Sequence, residues 1–129
     1  MKTFEELGVD PDIIKGITEC GFEMPLPVQE EVIPLLLSEE TDVLALAQTG
    51  TGKTAAFGLP VIQQTDISLH SPQTLIISPT RELCMQITDD LKDYSKYIPG
   101  LKILAVYGGS SIEAQIKALQ QGVHIIVAT

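Results

Sequence analysis

Asp42-Val43-Leu44-Ala45-Leu46-Ala47-Gln48-Thr49-Gly50-Thr51-Gly52-Lys53-Thr54 is the stretch whose reading decides the fold. An apolar run over 42–47 reads as a strand, a Gly/Thr loop follows, and a helix runs on to about residue 64. Gly50 and Gly52 let the backbone turn so that successive N–H groups converge on an anion. A helix starting near Lys53 adds the partial positive charge of its N-terminus. Residues 47–54 fit the phosphate-binding loop pattern, with Ala47 at the position of the first Gly. Lys53 then meets the outer phosphates of a nucleotide, and the Thr54 hydroxyl is available to Mg²⁺. An ordinary strand-to-helix turn would not need Lys-Thr after the second Gly.

Outward from this loop, short apolar runs alternate with longer amphipathic ones. Residues 74–78, 101–107 and 123–128 read as further strands. Thr80 caps a helix with apolar positions Leu83, Ile87, Leu91 and Tyr94. Ser110-Ser111-Ile112-Glu113 fits a capping box opening another helix, which closes at Gly122. Before the loop, Asp10-Pro11 starts a helix that buries Ile13, Ile14 and Ile17, and a second helix spans about 28–37 with Pro34 inside it. Residues 65–72 are the most loop-like stretch. Strands that are apolar on both faces, alternating with helices, argue an α/β fold: a parallel β-sheet with helices on both faces.

The 129 residues are enough for one domain with one core. The composition is 44% hydrophobic and 19% charged, which excludes a disordered chain. The net charge of −9 opposes bulk attraction of nucleic acid or anionic membrane, so any polyanion must meet a local site. No apolar run approaches the ~18 residues of a spanning helix, and the N-terminus lacks a signal peptide's apolar stretch. Cys20 and Cys84 read as buried free thiols rather than a zinc site. Together these lead to the expectation of a cytoplasmic protein without a membrane partner. His70 and His124 read as structural.

Three further groups of residues carry chemistry. Gly21-Phe22-Glu23-Met24-Pro25-Leu26-Pro27-Val28-Gln29 is by itself a helix stop, a Pro-rich turn and a helix start, with a buried aromatic and a solvent-facing Gln. Near a phosphate loop, however, the Gln29 amide suits an adenine edge, because it both donates and accepts. Pro79-Thr80-Arg81-Glu82-Leu83 leaves a strand and enters a helix, which is where open parallel sheets bind ligands. An N-cap Thr80 beside an exposed Arg81 is the plainer alternative. Gly108-Gly109 follows the third strand, where an ordinary turn is also sufficient.

In this order the residues resemble the DEAD-box ATP-dependent RNA helicases of bacterial type, and specifically the N-terminal part of their first RecA-like, P-loop domain. Residues 47–54 are similar to the family's motif I. Gly21 to Gln29 resembles its Q motif, with Phe4 as the isolated upstream aromatic, so that this motif covers about residues 4–29. Residues 79–83 resemble motif Ia, and Gly108-Gly109 the GG element. Residues 125–129 are similar to the run into motif Ib, whose Thr-Pro-Gly-Arg would begin at Thr129. The resemblance covers residues 1–129 as one partial helicase domain.

By this resemblance ATP or ADP with Mg²⁺ is the cofactor, held by Phe4, Phe22 and Gln29 and by Ala47, Gln48, Thr49, Gly50, Thr51, Gly52, Lys53 and Thr54. Lys53 and Thr54 take the catalytic part, with Thr54 on the metal. Pro79, Thr80, Arg81, Gly108, Gly109 and Thr129 face the RNA backbone without reading sequence. Leu26 departs from the family, which usually has Thr or Ser there. The Asp-Glu-Ala-Asp box, the Ser-Ala-Thr motif and the second RecA-like domain lie beyond Thr129, so the chain alone is expected to bind nucleotide without turnover. Two alternatives remain: a non-catalytic nucleotide- and RNA-binding module, and another P-loop enzyme such as a small-molecule kinase. An open sheet edge is also expected to offer self-association.

Overall fold

The structure, a computed structural model, describes residues 1–48, 50 and 52–129. Its chain forms two compact units, residues 1–64 with 93–98 and residues 65–92 with 99–129.

The first unit holds helices α1 (Pro11–Glu19), α2 (Pro27–Ser38) and α3 (Lys53–Gln64). Pro11 and Pro27 stand at helix starts, where a missing N–H costs nothing. Ile13, Gly16 and Ile17 form the buried stripe of α1; Ile14 is only half-buried. Gly16 is there for lack of space, since a Cβ would stand 2.5 Å from the Tyr94 carbonyl oxygen. Helices α2 and α3 pack on each other, burying Val32, Ile33, Ala55, Ala56, Leu59 and Ile62. The Gln64 side chain ties them further by donating to the Leu36 carbonyl at 2.7 Å. Gln63 accepts from the Asp10 N–H at 2.9 Å and donates to the Gly8 carbonyl at 2.8 Å, anchoring the approach to α1.

In the second unit β1 (Thr74–Ile77), β2 (Ile103–Val106) and β3 (Ile125–Ala128) form a parallel sheet in the order β1-β3-β2. Helices α4 (Arg81–Tyr94) and α5 (Ile112–Gln120) complete the strand–helix alternation. Ile125 and Val127 of the central strand are buried, and the Cys84 thiol of α4 donates to the Val127 carbonyl at 3.2 Å. His124, fully buried, is a hub. Its Nδ1 accepts from the Lys102 N–H at 3.0 Å, its Nε2 donates to the Ile67 carbonyl at 3.0 Å, and its own carbonyl takes the Gln73 N–H at 2.8 Å. The 65–72 loop is thereby held to the sheet it precedes, as expected for a structural histidine.

Four further expectations are corrected. Residues 42–47 form no strand, and Leu44 and Leu46 are 88% and 89% exposed. A strand exists only by pairing its backbone groups, and among the described residues every ladder joins β3 to β1 or β2. The inner face of α4 runs through Cys84, Ile87, Leu91 and Tyr94 rather than starting at Leu83, which is more than a third exposed. Thr80 does cap α4, accepting from the Leu83 N–H at 3.2 Å, and this puts Leu83 in the first turn, off the buried stripe. Helix α5 is capped by Ser111, which accepts from the Ala114 N–H at 3.3 Å; with the cap one residue later, Glu113 is no longer placed to close a box. Cys20 is exposed, because it lies just past the end of α1 and off its buried stripe.

Candidate functional site

The first unit builds a cavity of about 440 Å³ lined by Gly21, Phe22, Glu23, Met24, Leu26, Gln29 and Gly52, a size usual for small-ligand sites. Phe22 is held from two sides. The Phe4 ring lies 6.1 Å away at a tilt, and Tyr94 meets it edge-on at 5.5 Å. Such pairs fix ring orientation beyond simple burial. Phe4, expected among the residues that hold the nucleotide, is itself buried, lies against Phe22 and does not line the cavity. Tyr94 was expected only as helix packing; that its packing partner is the site's aromatic was not legible, because the two are 72 residues apart (94 − 22).

Gln29 is 1% exposed, against the plain expectation of a solvent-facing amide. It sits at the third position of α2, and its Oε1 accepts from the Leu26 N–H at 2.9 Å. Its Nε2 donates to the Gly52 carbonyl at 3.2 Å. These two neighbours decide which way the amide faces, since a flip would set oxygen against oxygen at Gly52. Each end keeps one hydrogen-bonding valence, a donor on Nε2 and an acceptor on Oε1. That pair matches adenine, with its N7 acceptor and N6 donor, and mismatches guanine, whose O6 accepts.

Gly52 closes the other side. Its carbonyl also accepts the first helical bond of α3, from Ala56 N–H at 3.1 Å, so one atom joins the Gln29 amide to the start of the helix. Its φ is +82°, and a Cβ would stand 2.4 Å from Gln29 Nε2. Only glycine meets both conditions. Gly50 also has a positive φ, +81°. Lys53 Nζ, at the start of α3, donates to the Ala47 carbonyl at 2.7 Å. Thr54 follows in the first helical turn and is half-buried, while Gln48 is exposed. The free N–H groups of that turn make an anion site. Thr49 and Thr51 lie outside the described residues.

The second unit gathers the other set. In a parallel sheet all strands end at the same edge. Pro79, Thr80 and Arg81 follow β1, Gly108 and Gly109 follow β2, and Thr129 follows the central β3. All six are exposed. Arg81 Nη1 approaches the Gly108 carbonyl at 3.4 Å. A Cβ on Gly109, whose φ is +88°, would stand 2.7 Å from that same nitrogen. Thr80 is the helix cap and Arg81 is exposed, as the plainer reading has it, and the Arg81 guanidinium in addition lies against the glycine pair. Thr129 is tied in by its N–H, which donates to the Val106 carbonyl at 3.3 Å. Among the described residues no cluster of three or more His, Cys, Asp or Glu is placed to bind a metal.

The DEAD/DEAH box helicase family model matches residues 26–129. The chain belongs to this family. It is 50% identical over 127 residues to the ATP-dependent RNA helicase DeaD of Buchnera aphidicola subsp. Schizaphis graminum, covering 98% of this chain and 21% of that one. Among solved structures it matches a DEAD box protein from Methanococcus jannaschii at TM-score 0.92 and 40% identity, over 98% of this chain and 34% of that one. It also matches a Saccharomyces cerevisiae Dbp5 variant bound to RNA and ADP BeF3, at TM-score 0.89 and 32% identity, over all of this chain and 32% of that one. The fold is therefore RecA-like. The chain spans about a fifth of the length of the DeaD relatives.

Proposed function

We propose that this chain supplies the ATP-binding surface, and part of the RNA-binding surface, of a DEAD-box RNA helicase that couples ATP binding and hydrolysis to the remodelling of RNA. The single observation that carries the reading is the Gln29 strut. It joins the Phe22 cavity to the Gly52 carbonyl at the foot of α3, so base and phosphates are served by one connected element. Adenine takes the cavity beside Phe22, with its edge on Gln29. Phosphates take the N–H groups of the 47–54 loop and of the α3 terminus, with Lys53 swinging from the Ala47 carbonyl to the outer phosphate. The Thr54 hydroxyl would supply one oxygen to Mg²⁺ beside the phosphates. When bound, Mg²⁺ would neutralise phosphate charge.

RNA backbone takes the strand-end edge of the second unit, on Thr80, Arg81, Gly109 and Thr129. With about two phosphates engaged, the log–log salt slope should be near −1.4, independent of sequence. Turnover needs an acid that holds Mg²⁺ from the far side and orients water. The strands here are followed by Ser78, Tyr107 and Thr129, so the 129-residue chain binds nucleotide without hydrolysing it.

The test is calorimetry with ADP and GDP, paired with phosphate release from Mg·ATP plus single-stranded RNA. ADP should bind roughly 5- to 150-fold more tightly than GDP, the range for one bidentate amide–base pair, and release should stay at background. Equal affinity for the two nucleotides would refute the adenine assignment. RNA-stimulated release that Lys53→Ala abolishes would show a complete catalytic site in this chain.

A further inference from the structure

We propose that Leu26 sets the base affinity of the Phe22 cavity by acting as an apolar wall in the place where its helix would otherwise take a capping hydroxyl. This rests on the adenine reading above. Leu26 is the N-cap of α2, with the extended backbone of that position (φ −80°, ψ 162°), and its side chain makes no cap hydrogen bond. Leucine is among the poorest residues there, since Ser, Thr, Asp and Asn each offer an oxygen to the free N–H groups of the first turn. Only half of a capping box is present: Gln29 Oε1 takes the Leu26 N–H, and nothing on Leu26 can reciprocate.

The leucine methyls face the cavity instead. Leu26 lines it together with Phe22, Met24, Gln29 and Gly52, and remains 44% exposed. Its Cδ1 lies 2.9 Å from where a Cβ on Gly52 would stand, so the methyl sits against the glycine that carries the phosphate loop into α3. A large apolar side chain left nearly half open, in a cavity that already holds an oriented aromatic, buries its surface only when a flat apolar ring enters. Having no polar atom, it leaves the free valences of Gln29 without a competitor. The helix end gives up a cap, and the cavity gains contact with the face of the base.

This exchange has a signature that simple structural support would not give: stability and affinity move in opposite directions on Leu26→Thr. The melting temperature without nucleotide should rise by about 3–6 °C, the scale for gaining one N-cap in a chain of this size. ADP affinity should fall roughly four- to fifteenfold, the scale for losing one or two buried methyl groups. The ADP:GDP ratio should stay as in the wild type, because Leu26 meets the ring face and Gln29 meets the edge. Leu26→Ala, which adds no cap, should lower ADP affinity without raising the melting temperature.

The measurements are thermal melts and calorimetry with ADP and GDP on the 129-residue chain and both variants. Folded Thr and Ala variants that bind ADP as tightly as the wild type would overturn the proposal while leaving the adenine pocket standing. A fall in ADP affinity accompanied by a changed ADP:GDP ratio would also overturn it, by placing Leu26 on the base edge. A wild-type chain that binds no ADP would overturn the adenine pocket and this proposal together.

Discussion

Replacing Gly52 with alanine tests whether the phosphate loop and the Gln29 strut are one mechanical unit. A Cβ there would stand 2.4 Å from Gln29 Nε2 and 2.9 Å from Leu26 Cδ1. The leucine methyl is the end of a flexible side chain and can give way. The Gln29 amide cannot move without releasing both the Gly52 carbonyl and the Leu26 N–H. Those two bonds are worth about 0.5–1.5 kcal/mol each, so about 1–3 kcal/mol is at stake. Alanine at φ +82° adds about 1–2 kcal/mol of backbone strain. Gly52→Ala should therefore cost about 2–5 kcal/mol. In a Gln29→Ala background the amide is already gone and only the strain remains, about 1–2 kcal/mol. Urea unfolding of the four proteins closes a double-mutant cycle, with an expected coupling of about 1–3 kcal/mol. If Gly52→Ala costs the same in both backgrounds, to within about 0.5 kcal/mol, the contact carries no energy and the strut reasoning fails.

Lys53→Ala should weaken ATP binding by about 1.5–3 kcal/mol, the value of one charge-assisted contact; calorimetry showing equal affinity would remove Lys53 from the phosphate site. Gly109→Ala forces the Arg81 guanidinium from its place 2.7 Å from the added Cβ. It should weaken RNA retention on filters about as much as Arg81→Ala does, and full retention in either variant would detach this pair from RNA. The Glu19 carboxyl is held below the ordinary carboxylate value by hydrogen bonds from the Tyr97 hydroxyl and then Lys96. A lowered folded value means that the contribution is present above the unfolded carboxylate pKa and is lost as pH falls through the folded one. Tyr97→Phe should move the Glu19 midpoint upward in an NMR titration, and an unmoved midpoint would show that the tyrosine is not its principal partner.

Legibility followed the range of the interactions. The start of α3 at Lys53 and the Thr80 cap depend on neighbours a few residues away, and the sequence pattern marks them directly. The 42–47 segment shows the limit. Val43-Leu44-Ala45-Leu46 has the composition of a strand, but pairing is a property of two segments, and none of the described ladders includes it. The same limit hid the joints of the site. Gln29 and Gly52 are 23 residues apart, and Arg81 and Gly108 are 27 apart. Motif positions named these residues individually, whereas their mutual contacts arise only when helices α2 and α3 pack together, or when β3 holds β1 and β2 in one sheet. Leu26 was visible as a departure from the family pattern, but its effect depends on which way a capless side chain turns.

The sheet order β1-β3-β2 has a consequence for how the chain is made. Neither outer strand pairs with the other, so each waits for β3. Thr74 meets Ile125, a separation of 51 residues (125 − 74), while Ile103 meets the same residue across 22 (125 − 103). On a ribosome delivering about 5–20 residues per second, β1 spends several seconds in existence before its partner is made. During that interval Leu75, Ile76 and Ile77 have no ladder, whatever the local propensity of the segment. Helices of the first unit need no such delay, since their hydrogen bonds close within each segment. The expected order of appearance during synthesis is helices early and the whole sheet in one late step. A nascent chain that ends between Val106 and Ile125 would then present two unmatched apolar strands as a natural holding site for chaperones.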